Sequence, residues 1–471
     1  MKLSARDILA ITHLRAVDFG TGKSLMVTGV SIDTRILRRG DLFFAIKGTT
    51  YDGHNFLTKA IEAGASAAIL ENRWVQLNEA FLLSLPIPYL VVEDSTRALG
   101  ELAAWYRRKF RIPVLAIGGS NGKTTTKEMI RRVLETKYSV LATEGNLNNH
   151  IGVPLTIFRL EKKHQVAVIE VGTNHRGEID YLCGVLEPTH GLITNIGQEH
   201  LEFFNTVSGV AKAEGELFDW IATHRSGNGW LFLNSDDRHL AKRRKKLRNI
   251  VNYGFKIPNA VFRGSAISTE SNGNTRFRVK PRGKSPIEIT LSVPGIHNAY
   301  NALAATAVGL TLKVPAAKIQ RALLSFAPTG KRMEVLSIDG VTVLNDTYNS
   351  NPESVIAALQ TLKSIRTPGK KIAVLADMLE LGLASEALHK SVARQVESSK
   401  VEYLLTYGPL SRHTSEAASV KFKVHYDQKN MLSEYLIELL TPGDVVLIKG
   451  SRGMKMEDVV TFIQERLSKA A

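Results

Sequence analysis

The sequence predicts an α/β protein of three domains whose central domain is built on a mostly parallel sheet. Its 471 residues exceed the roughly 250 to 300 that a single hydrophobic core can serve. Apolar strands alternate with helical segments along most of the chain, which is typical of parallel sheets covered by helices. A glycine-rich turn also joins one of these strands to a helix.

Composition places the chain among ordinary globular proteins, with 44% apolar and 23% charged residues. Cys183 is the only cysteine, which excludes an intramolecular disulfide and a cysteine-held zinc or iron–sulfur site. No apolar run is long enough to span a bilayer. We therefore expect a cytoplasmic monomer without membrane insertion.

The net charge of +16 favours anionic partners. These include nucleic acid, anionic lipid and substrates that carry phosphates or carboxylates. The densest basic run, over 242–248, has helical character and is predicted to be a solvated helix face rather than a nucleic-acid patch.

The first domain is predicted to end near residue 95. An apolar strand over 89–94 precedes a helical pattern that Ser95 or Thr96 would cap. Pro113 then leads into an apolar strand over 114–118.

The central domain is predicted over 96–328 and a smaller doubly wound domain over 329–471. Further strands are expected over 166–172, 191–197 and 230–237 in the central domain, and over 341–346, 371–377 and 444–450 in the last. Ligand sites are expected at the carboxyl ends of such strands.

A glycine-rich loop follows the strand over 114–118 and opens a helix. Its residues are Gly118, Gly119, Ser120, Asn121, Gly122, Lys123, Thr124 and Thr125. Glycines let backbone N–H groups approach phosphate oxygens, Lys123 can reach the terminal phosphates, and Thr124 can bind magnesium. The strict motif has glycine where Ile117 stands, so the loop is a shortened relative of it.

Two other strand ends supply candidate metal ligands. Glu170 lies within an apolar strand, where an unpaired carboxylate would be costly to bury, so it should be paired or metal-bound. His200 follows another strand and belongs to the loop layer above the sheet. With Thr124, these residues predict a magnesium site beside the phosphate loop.

Eight blocks of sequence resemble one known family. They read GSNGKTT, EGNLNNHIGVPLT, VIEVGTNHRGEI, TNIGQEHLEFF, PGIHNAYNALAA, NDTYNSNPES, LADMLELG and KGSRGMKMEDVV, and their order is that of the Mur ligase family. SIDTR, GDLFFAIKG and DGHNF agree in the first domain, so the resemblance spans nearly the whole chain. YNSNPES and DMLELG most resemble members that add a D-alanyl-D-alanine dipeptide rather than one amino acid.

The resemblance implies a fold and an activity. Residues 1–95 would bind the UDP-muramoyl substrate, 96–328 would bind ATP, and 329–471 would form a Rossmann-like domain for the incoming dipeptide. The implied reaction is ATP- and Mg²⁺-dependent ligation of D-alanyl-D-alanine to a UDP-N-acetylmuramoyl tripeptide through an acyl phosphate, in peptidoglycan precursor synthesis.

The resemblance also implies roles for single residues. Thr34, Arg35, Lys47 and His54 would contact the UDP-sugar end, and Asn146, Asn148, Asn149 and Thr156 would lie near the phosphates and acyl group. His297, Asn298 and Asn301 would approach adenine and ribose, and Arg332 and Asp346 would also reach ATP. Tyr348, Asn349, Asn351, Lys449 and Ser451 would line the dipeptide side. Many of these asparagines could equally serve as turn or cap residues.

Glu214 departs from the family pattern. Related ligases have a lysine at this place, carbamylated so that it supports a second magnesium. Lys212 lies two residues away and should point elsewhere, since residues two apart do not share a helix face. We expect the Glu214 carboxylate to replace the carbamate in a catalytic role, although it could also be a solvated helix acid.

Two other functions remain as alternatives. Another Mur-type ligase or a folylpolyglutamate synthetase would share the ligase core, but the latter lacks a separate UDP-sugar module. A nucleic-acid-associated phosphate-loop ATPase would explain the basic charge, yet no helicase, zinc-finger or RNA-binding motif accompanies the loop.

Overall fold

The computed structural model describes residues 1–9, 14–18, 25–82, 85–225, 229–270, 274–328 and 330–467. The chain divides into two compact units. The first comprises 1–116, 138–172 and 177–189, and the second comprises 117–137, 173–176 and 190–471. The three-domain boundaries stay predictions, and Thr329, at the second boundary, lies outside the described residues.

The structure alternates strands and helices along the chain. The strands are β1 (Leu3–Ser4), β2 (Leu14–Asp18), β3 (Met26–Val27), β4 (Gly29–Ser31), β5 (Asp41–Phe44), β6 (Ala67–Glu71), β7 (Tyr89–Val92), β8 (Val114–Gly118), β9 (Val140–Ala142), β10 (Val166–Glu170), β11 (His190–Ile193), β12 (Leu231–Asn234), β13 (Ile250–Gly254), β14 (Phe262–Thr269), β15 (Thr275–Pro281), β16 (Ile287–Leu291), β17 (Glu334–Ile338), β18 (Val341–Asp346), β19 (Lys371–Ala376), β20 (Tyr403–Tyr407), β21 (Phe422–Tyr426) and β22 (Val445–Lys449). The helices are α1 (Ala5–Ile8), α2 (Leu57–Glu62), α3 (Asn72–Leu77), α4 (Glu79–Leu82), α5 (Ser95–Arg107), α6 (Lys123–Glu135), α7 (Gly152–Ile157), α8 (Glu178–Leu186), α9 (Leu201–Phe204), α10 (Val207–His224), α11 (Arg238–Arg243), α12 (Ile296–Thr311), α13 (Ala316–Leu324), α14 (Pro352–Ser364), α15 (Ser385–Ser398), α16 (Arg412–Ala417), α17 (Lys429–Leu439) and α18 (Glu457–Leu467). The predicted α/β class is confirmed.

The first unit contains a five-stranded sheet of order β2-β7-β6-β5-β4. Strands β4 to β7 pair in parallel, and β2 pairs antiparallel with β7. Phe43, Leu57 and Leu70 belong to its core. In the same unit, β10 pairs in parallel with β9.

Helix α5 begins at Ser95, one residue earlier than a cap at Ser95 would give. The predicted caps, Ser95 and Thr96, are wrong because Asp94 is the cap residue: its carboxylate accepts the N–H groups of Thr96 and Arg97 at 2.8 and 2.9 Å. A carboxylate at this position satisfies two free donors at once and faces the positive end of the helix dipole.

The second unit contains a run of strands of order β16-β15-β14-β13-β12-β11. Strands β11 and β12 pair in parallel, as predicted, and β13 and β14, which were not predicted, continue the parallel run. Strands β14, β15 and β16 pair antiparallel. This antiparallel extension was not predicted. Residues of β15 are alternately buried and exposed, the pattern of a sheet with one solvated face.

Strand β16 lies at the edge of this run and is covered by α13. The Gln320 side chain on α13 donates to the carbonyl oxygen of Glu288 on β16 at 2.9 Å. Ser292, just after the strand, donates its hydroxyl to the carbonyl oxygen of Leu324. A backbone acceptor of the edge strand is thereby occupied by a side chain of the same molecule.

A second sheet in this unit has the order β17-β18-β22-β19-β20-β21. Five of its strands are parallel, and β17 pairs antiparallel with β18 at one edge. Apolar clusters cover both faces, one including Leu344 and Leu359 and the other including Val343 and Ile448. The predicted doubly wound arrangement is confirmed here.

The predicted strands differ from the observed ones mainly at their carboxyl ends. Strands β8 and β18 have the predicted bounds, whereas β10 ends at Glu170 and β11 at Ile193. The residues that follow leave the sheet and form loops: Gly172 N–H, for example, donates to the carbonyl oxygen of Asn148 at 2.9 Å, and Ser120 N–H donates to the carbonyl oxygen of Asn195.

The basic run lies on α11 and the short 3-10 helix Arg244–Lys246 that follows. Lys242, Arg244 and Lys245 are exposed, while Arg243 donates to both carboxylate oxygens of Asp219 at 2.8 and 2.9 Å. Most of the run is therefore solvated, as predicted. Across the ranges described above, no helix is both long enough and apolar enough to cross a membrane.

Asp444 offers a test of how the second sheet is held. Its buried carboxylate accepts the N–H groups of Lys370 and Thr441 at 2.7 and 2.8 Å. Asp444→Ala would leave both donors without that partner, and we expect it to lower the free energy of unfolding by about 2 to 4 kcal/mol. Asp427→Ala, which removes an exposed partner of Arg412, should change it little. Denaturant unfolding followed by circular dichroism measures both, and equal effects would contradict the assignment.

Candidate active site

The phosphate loop connects β8 to α6 and is held by the loop that follows β11. Ser120 N–H donates to the carbonyl oxygen of Asn195 at 2.9 Å, and Asn121 N–H donates to the side-chain oxygen of Asn195 at 3.0 Å. In return, Gly197 N–H donates to Ser120 Oγ at 2.8 Å. The loop after β8 and the loop after β11 therefore hold each other in place.

The loop enters α6 through a left-handed residue. Gly122 has φ of +79°, and a Cβ there would lie 2.6 Å from the side-chain oxygen of Asn301 on α12. That oxygen also accepts the Thr126 hydroxyl at 3.1 Å. The left-handed conformation and the lack of space both require glycine at this position. The same contacts show that α12 packs against the start of α6.

Lys123 begins α6 and folds back over the loop. Its ammonium group donates to the carbonyl oxygen of Gly119 and lies 3.4 Å from both the carbonyl oxygen of Ser120 and a carboxylate oxygen of Glu199. Glu199 is buried. The arrangement holds a cation at the mouth of the loop, where the positive end of the α6 dipole also favours an anion. Thr124 and Thr125 follow it in the first turn and are half-buried.

Glu214 reaches the start of the same loop from α10. Its side chain is buried, one oxygen accepts the Gly119 N–H at 2.6 Å, and the other, Oε1, has no hydrogen-bond partner in the described part of the chain. Burial raises the pKa of Glu214 to about 7, against the opposing effect of the Lys123 charge. Because its own side chain is buried, Glu214 is not a solvated helix acid. Lys212 is exposed and points elsewhere, as its place on the helix predicted.

Gly118 leaves the space that this carboxylate occupies. A Cβ on Gly118 would lie 2.6 Å from Oε2 of Glu214. The conformation at Gly118 is one that other residues adopt, so the requirement for glycine comes from space alone.

His200 adopts a left-handed backbone at the start of α9, with φ of +49°. Its Nδ1 lies 2.6 Å from a carboxylate oxygen of Glu380, and its Nε2 lies 3.9 Å from Glu199. Burial opposes protonation, but the Glu380 and Glu199 carboxylates outweigh it and raise the pKa of His200. The contact with His200 lowers the pKa of Glu380.

Two further side chains, both on α14 or at its cap, reach the loops that follow β8 and β11. Asn351, which caps α14, donates its amide to the side-chain oxygen of Asn121 at 2.9 Å. Glu353, in the first turn of α14, accepts the Gln198 N–H at 2.9 Å. Burial raises the pKa of Glu353.

A second cluster lies at the carboxyl ends of β18 and β22. The buried Lys449 ammonium lies 2.6 Å from an Asp346 carboxylate oxygen and donates to the carbonyl oxygen of Asn349 at 2.9 Å. The Arg332 guanidinium lies 3.6 Å from the centre of the Tyr348 ring. The structure thus brings Lys449 and Asn349, predicted for the dipeptide side, together with Asp346, predicted to reach ATP. It also places Arg332, predicted to reach ATP, against Tyr348.

Three other predicted residues are Ser451, Asn298 and His297. Ser451 is buried and accepts the Leu379 N–H at 2.8 Å. Asn298 is buried on α12 and donates to the carbonyl oxygen of Pro294 at 2.8 Å. Burial lowers the pKa of the neighbouring His297 to about 4.

In the first unit, Glu170 ends β10 and is buried. It accepts the Asn148 amide at 2.9 Å, and its backbone N–H donates to Thr143 Oγ1 at 3.0 Å. Asn149 accepts two backbone N–H groups at the start of α7. Thr156 is buried within α7, and Asn146 is exposed.

The residues predicted for the UDP-sugar end are more dispersed. Arg35 is 86% exposed and paired with Asp33, Lys47 is exposed, and Thr34 is half-buried. His54 is buried, with Nδ1 2.6 Å from Asp52 and Nε2 accepting the Glu71 N–H.

The donor chemistry suits magnesium in part of its coordination shell. The described residues contain no group of three or more His, Cys, Asp or Glu side chains that could hold a metal. Magnesium, however, commonly takes one or two protein ligands together with phosphates and water. The unpartnered Oε1 of Glu214 is a buried acceptor of the kind that a hydrated cation satisfies. The residues therefore fit a magnesium–nucleotide complex.

Sequence reasoning did not single out Glu199, Glu353 or Glu380. Each lies inside a block that was recognised, namely NIGQEH, YNSNPES and DMLELG. The sequence offered one signal, an acidic residue beside a candidate ligand or cap. It did not show which residue each acid contacts in the folded chain.

Comparisons with known proteins give a consistent result. Residues 26–107 match the model described as Mur ligase family, catalytic domain, 117–309 the Mur ligase middle domain, and 331–452 the Mur ligase, glutamate ligase domain. The chain is 35% identical to the UDP-N-acetylmuramoyl-tripeptide--D-alanyl-D-alanine ligase of Haemophilus influenzae, covering 99% of both chains. It is 36% identical to the same-named ligase of Bacillus subtilis, covering 93% and 94%.

Solved structures agree. MurF from Acinetobacter baumannii matches with a TM-score of 0.88, 28% identity and 99% coverage of both chains. MurF ligase from Thermotoga maritima in complex with ADP matches with a TM-score of 0.83 and 28% identity, covering 94% of this chain and 99% of that one.

Gly118→Ala tests whether the Glu214 carboxylate needs the space above it. We expect the added methyl group to displace the carboxylate, to cost about 1 to 3 kcal/mol of stability and to weaken nucleotide binding. Gly184→Ala, on the exposed face of α8 with nothing within 4 Å, should instead stabilise the chain by about 0.5 to 1 kcal/mol. Thermal unfolding and nucleotide titration measure both, and normal nucleotide binding by Gly118→Ala would contradict the assignment.

Proposed function

The chain belongs to the Mur ligase family, and on that premise we propose that it joins D-alanyl-D-alanine to UDP-N-acetylmuramoyl tripeptide in peptidoglycan precursor synthesis. It uses ATP and releases ADP and phosphate. The observation that carries this is the phosphate loop, with Lys123 over its mouth, in a chain that matches dipeptide-adding ligases along its whole length. The third residue of the tripeptide is lysine or diaminopimelate.

The reaction must convert a carboxylate into an acyl donor. A carboxylate oxygen of the tripeptide attacks the γ-phosphorus of ATP, which breaks the bond to ADP and gives an acyl phosphate. The dipeptide amine then attacks the acyl carbon, loses a proton and expels phosphate. The Lys123 charge and the positive end of the α6 dipole stabilise the charge that develops on the transferring phosphoryl group.

Magnesium supplies further charge neutralisation on the phosphates when it is bound. Thr124, Glu170 and His200 are the residues proposed to hold it. Their support is chemical: a hydroxyl, a carboxylate and an imidazole, each placed at the end of a strand or the start of a helix.

The remaining predicted residues take the roles that the resemblance implies. His297, Asn298 and Asn301 are proposed to approach adenine and ribose, and the packing of Asn301 against Gly122 supports this by placing α12 beside the phosphate loop. The Asp346–Lys449 pair and Tyr348 are proposed to serve ATP and the dipeptide, supported by their position at strand ends.

The three-domain division of labour is proposed on the same basis. The UDP-muramoyl substrate would bind to 1–95, ATP to 96–328 and the dipeptide to 329–471. Three successive family matches, over 26–107, 117–309 and 331–452, support a division into three parts. We further propose that the enzyme is a cytoplasmic monomer that does not bind nucleic acid, because its substrates are cytoplasmic precursors and their phosphates and carboxylates suit a basic protein.

Glu214 is proposed to act as a built-in carboxylate where relatives carry a carbamylated lysine. Its burial beneath the loop and its unpartnered oxygen support a role toward a hydrated cation. An exposed Lys212 is a poor substitute for it.

Phosphate release tests the function directly. The enzyme should release phosphate from ATP only when both UDP-muramoyl tripeptide and D-alanyl-D-alanine are present, and the product should contain the pentapeptide. Release stimulated by DNA or RNA, or by folate and glutamate, would support the alternative functions instead.

Lys123→Ala should lower ligation by at least about 100-fold, since the charge that faces the transferring phosphoryl group is lost. The protein should stay folded, because Lys123 contacts the loop rather than a core. Lys242→Ala, at an exposed lysine on α11, is the matched control and should keep full activity. A coupled ADP assay and circular dichroism measure these outcomes, and near wild-type ligation by Lys123→Ala would refute the loop assignment.

Glu214→Gln tests the carboxylate replacement. Wild-type activity should not change when bicarbonate is removed, because no carbamate has to form, and Glu214→Gln should lose roughly 10-fold or more of its activity. Lys212→Ala should behave like wild type. The idea fails if wild-type activity falls without bicarbonate and returns on its addition while Glu214→Gln remains fully active.

A further inference from the structure

We propose that Asn351 is a positioning residue for the phosphate loop, which it holds through Asn121, so that the start of α14 helps to fix the site at which ATP binds. The inference rests on the proposed function, because it takes the loop as the ATP site. It also replaces, for this one residue, the dipeptide-side role that the resemblance implies.

Asn351 is held by the helix that it caps. Its side-chain oxygen accepts the N–H of Ser354 at 2.9 Å, and its own N–H donates to Ser354 Oγ at 3.0 Å. Pro352 follows at the first position of the helix, where its fixed φ suits the helical backbone. This reciprocal cap fixes the Asn351 side chain, so that its amide nitrogen is presented to the phosphate loop rather than to α14.

The phosphate loop receives this amide at Asn121, whose side-chain oxygen accepts it at 2.9 Å. The main chain of Asn121 is held separately: its N–H donates to the side chain of Asn195, and its carbonyl oxygen accepts the Thr194 hydroxyl at 2.7 Å. The loop after β11 therefore holds the main chain of Asn121, while the cap of α14 holds its side chain. Both polar atoms of the Asn351 side chain thus have partners within the protein, which favours a positioning role over contact with the dipeptide.

A second contact brings the same helix against the loop after β11. Glu353, in the first turn of α14, accepts the Gln198 N–H at 2.9 Å. A Cβ at the neighbouring Gly197 would lie 3.3 Å from both the Asn121 amide nitrogen and the Glu353 carboxyl carbon, which is tighter than most contacts of a real side chain. The absence of a side chain at Gly197 therefore lets α14 approach both loops closely.

The position of Asn121 matters for an anion because the two residues after it start α6. Gly122 turns the chain in its left-handed conformation, and Lys123 begins the helix, whose positive dipole end favours negative charge. A loop that is already ordered loses less conformational entropy when a ligand binds to it. Asn351 therefore raises the affinity of the loop for nucleotide by ordering the loop rather than by contacting the nucleotide.

The test compares Asn351→Ser with Ser354→Ala in the full-length protein. Serine caps helices about as well as asparagine but is too short to reach Asn121, so Asn351→Ser removes the loop contact and keeps the cap. Ser354→Ala weakens the cap and keeps the loop contact. We expect Asn351→Ser to weaken binding of a non-hydrolysable ATP analogue, measured by calorimetric titration, by about 3- to 10-fold. Ser354→Ala should bind the analogue as wild type does, and neither variant should change the KM for D-alanyl-D-alanine.

A double variant tests the pair itself. Asn121→Ala removes the other half of the contact but leaves the main-chain hydrogen bonds of residue 121, so it should weaken analogue binding by a similar factor. Combining Asn121→Ala with Asn351→Ser should add little further loss, because both changes remove the same hydrogen bond. Fully additive losses would overturn the proposal.

The remaining outcomes separate the possible failures. If Asn351→Ser raises the KM for D-alanyl-D-alanine and binds the analogue normally, the positioning role is refuted and the residue belongs to the dipeptide side. Equal loss of analogue binding in Asn351→Ser and Ser354→Ala would assign the effect to the helix cap and would also refute the role. If the wild-type protein binds the analogue but does not join the two substrates, the proposed function fails, and the same binding comparison still decides the role of Asn351.

Discussion

The buried carboxylate of Glu214 is the constraint on which the phosphate loop depends. It holds the N–H of Gly119, which requires Gly118 to have no side chain, and it places negative charge beneath the loop that Lys123 covers. An acid in such a place is costly unless a cation or a donor satisfies each oxygen. One oxygen is satisfied by the loop and the other is open, so the carboxylate that shapes the loop also leaves a buried acceptor beneath it.

A second level of organisation comes from the loops of the second sheet. Asn351, Glu353 and Glu380 each contact a loop that also forms the proposed nucleotide site. They are spaced along two strand ends of one parallel sheet, whose carboxyl edge gathers residues distant in sequence. The parallel topology therefore explains why a short region of chain can act on both the phosphate loop and the proposed metal ligand.

Much of the fold was readable from the sequence because apolar runs between glycines and prolines fix where buried strands lie, as for β8 and β18. The antiparallel hairpin of β14 and β15 was missed, since its alternating pattern is weaker than a continuous apolar run. The Asp94 cap was missed because Ser95 and Thr96 offered equally plausible side chains one residue later. Within the candidate site, a local pattern identified Lys123, and the family resemblance identified Glu214. They could not show that Glu380 meets His200, because a contact across 180 residues has no signature in either segment alone.

The edge of the larger strand run has a practical consequence. Strand β16 is shielded by α13, where Gln320 occupies the carbonyl group of Glu288. The strand is short and amphipathic, and its outer backbone groups would otherwise accept a strand from another molecule. Shortened forms of the protein that end before α13 would uncover this ladder. Crystallisation or screening fragments of the central region should therefore retain residues 316–324, or self-association will compete with folding.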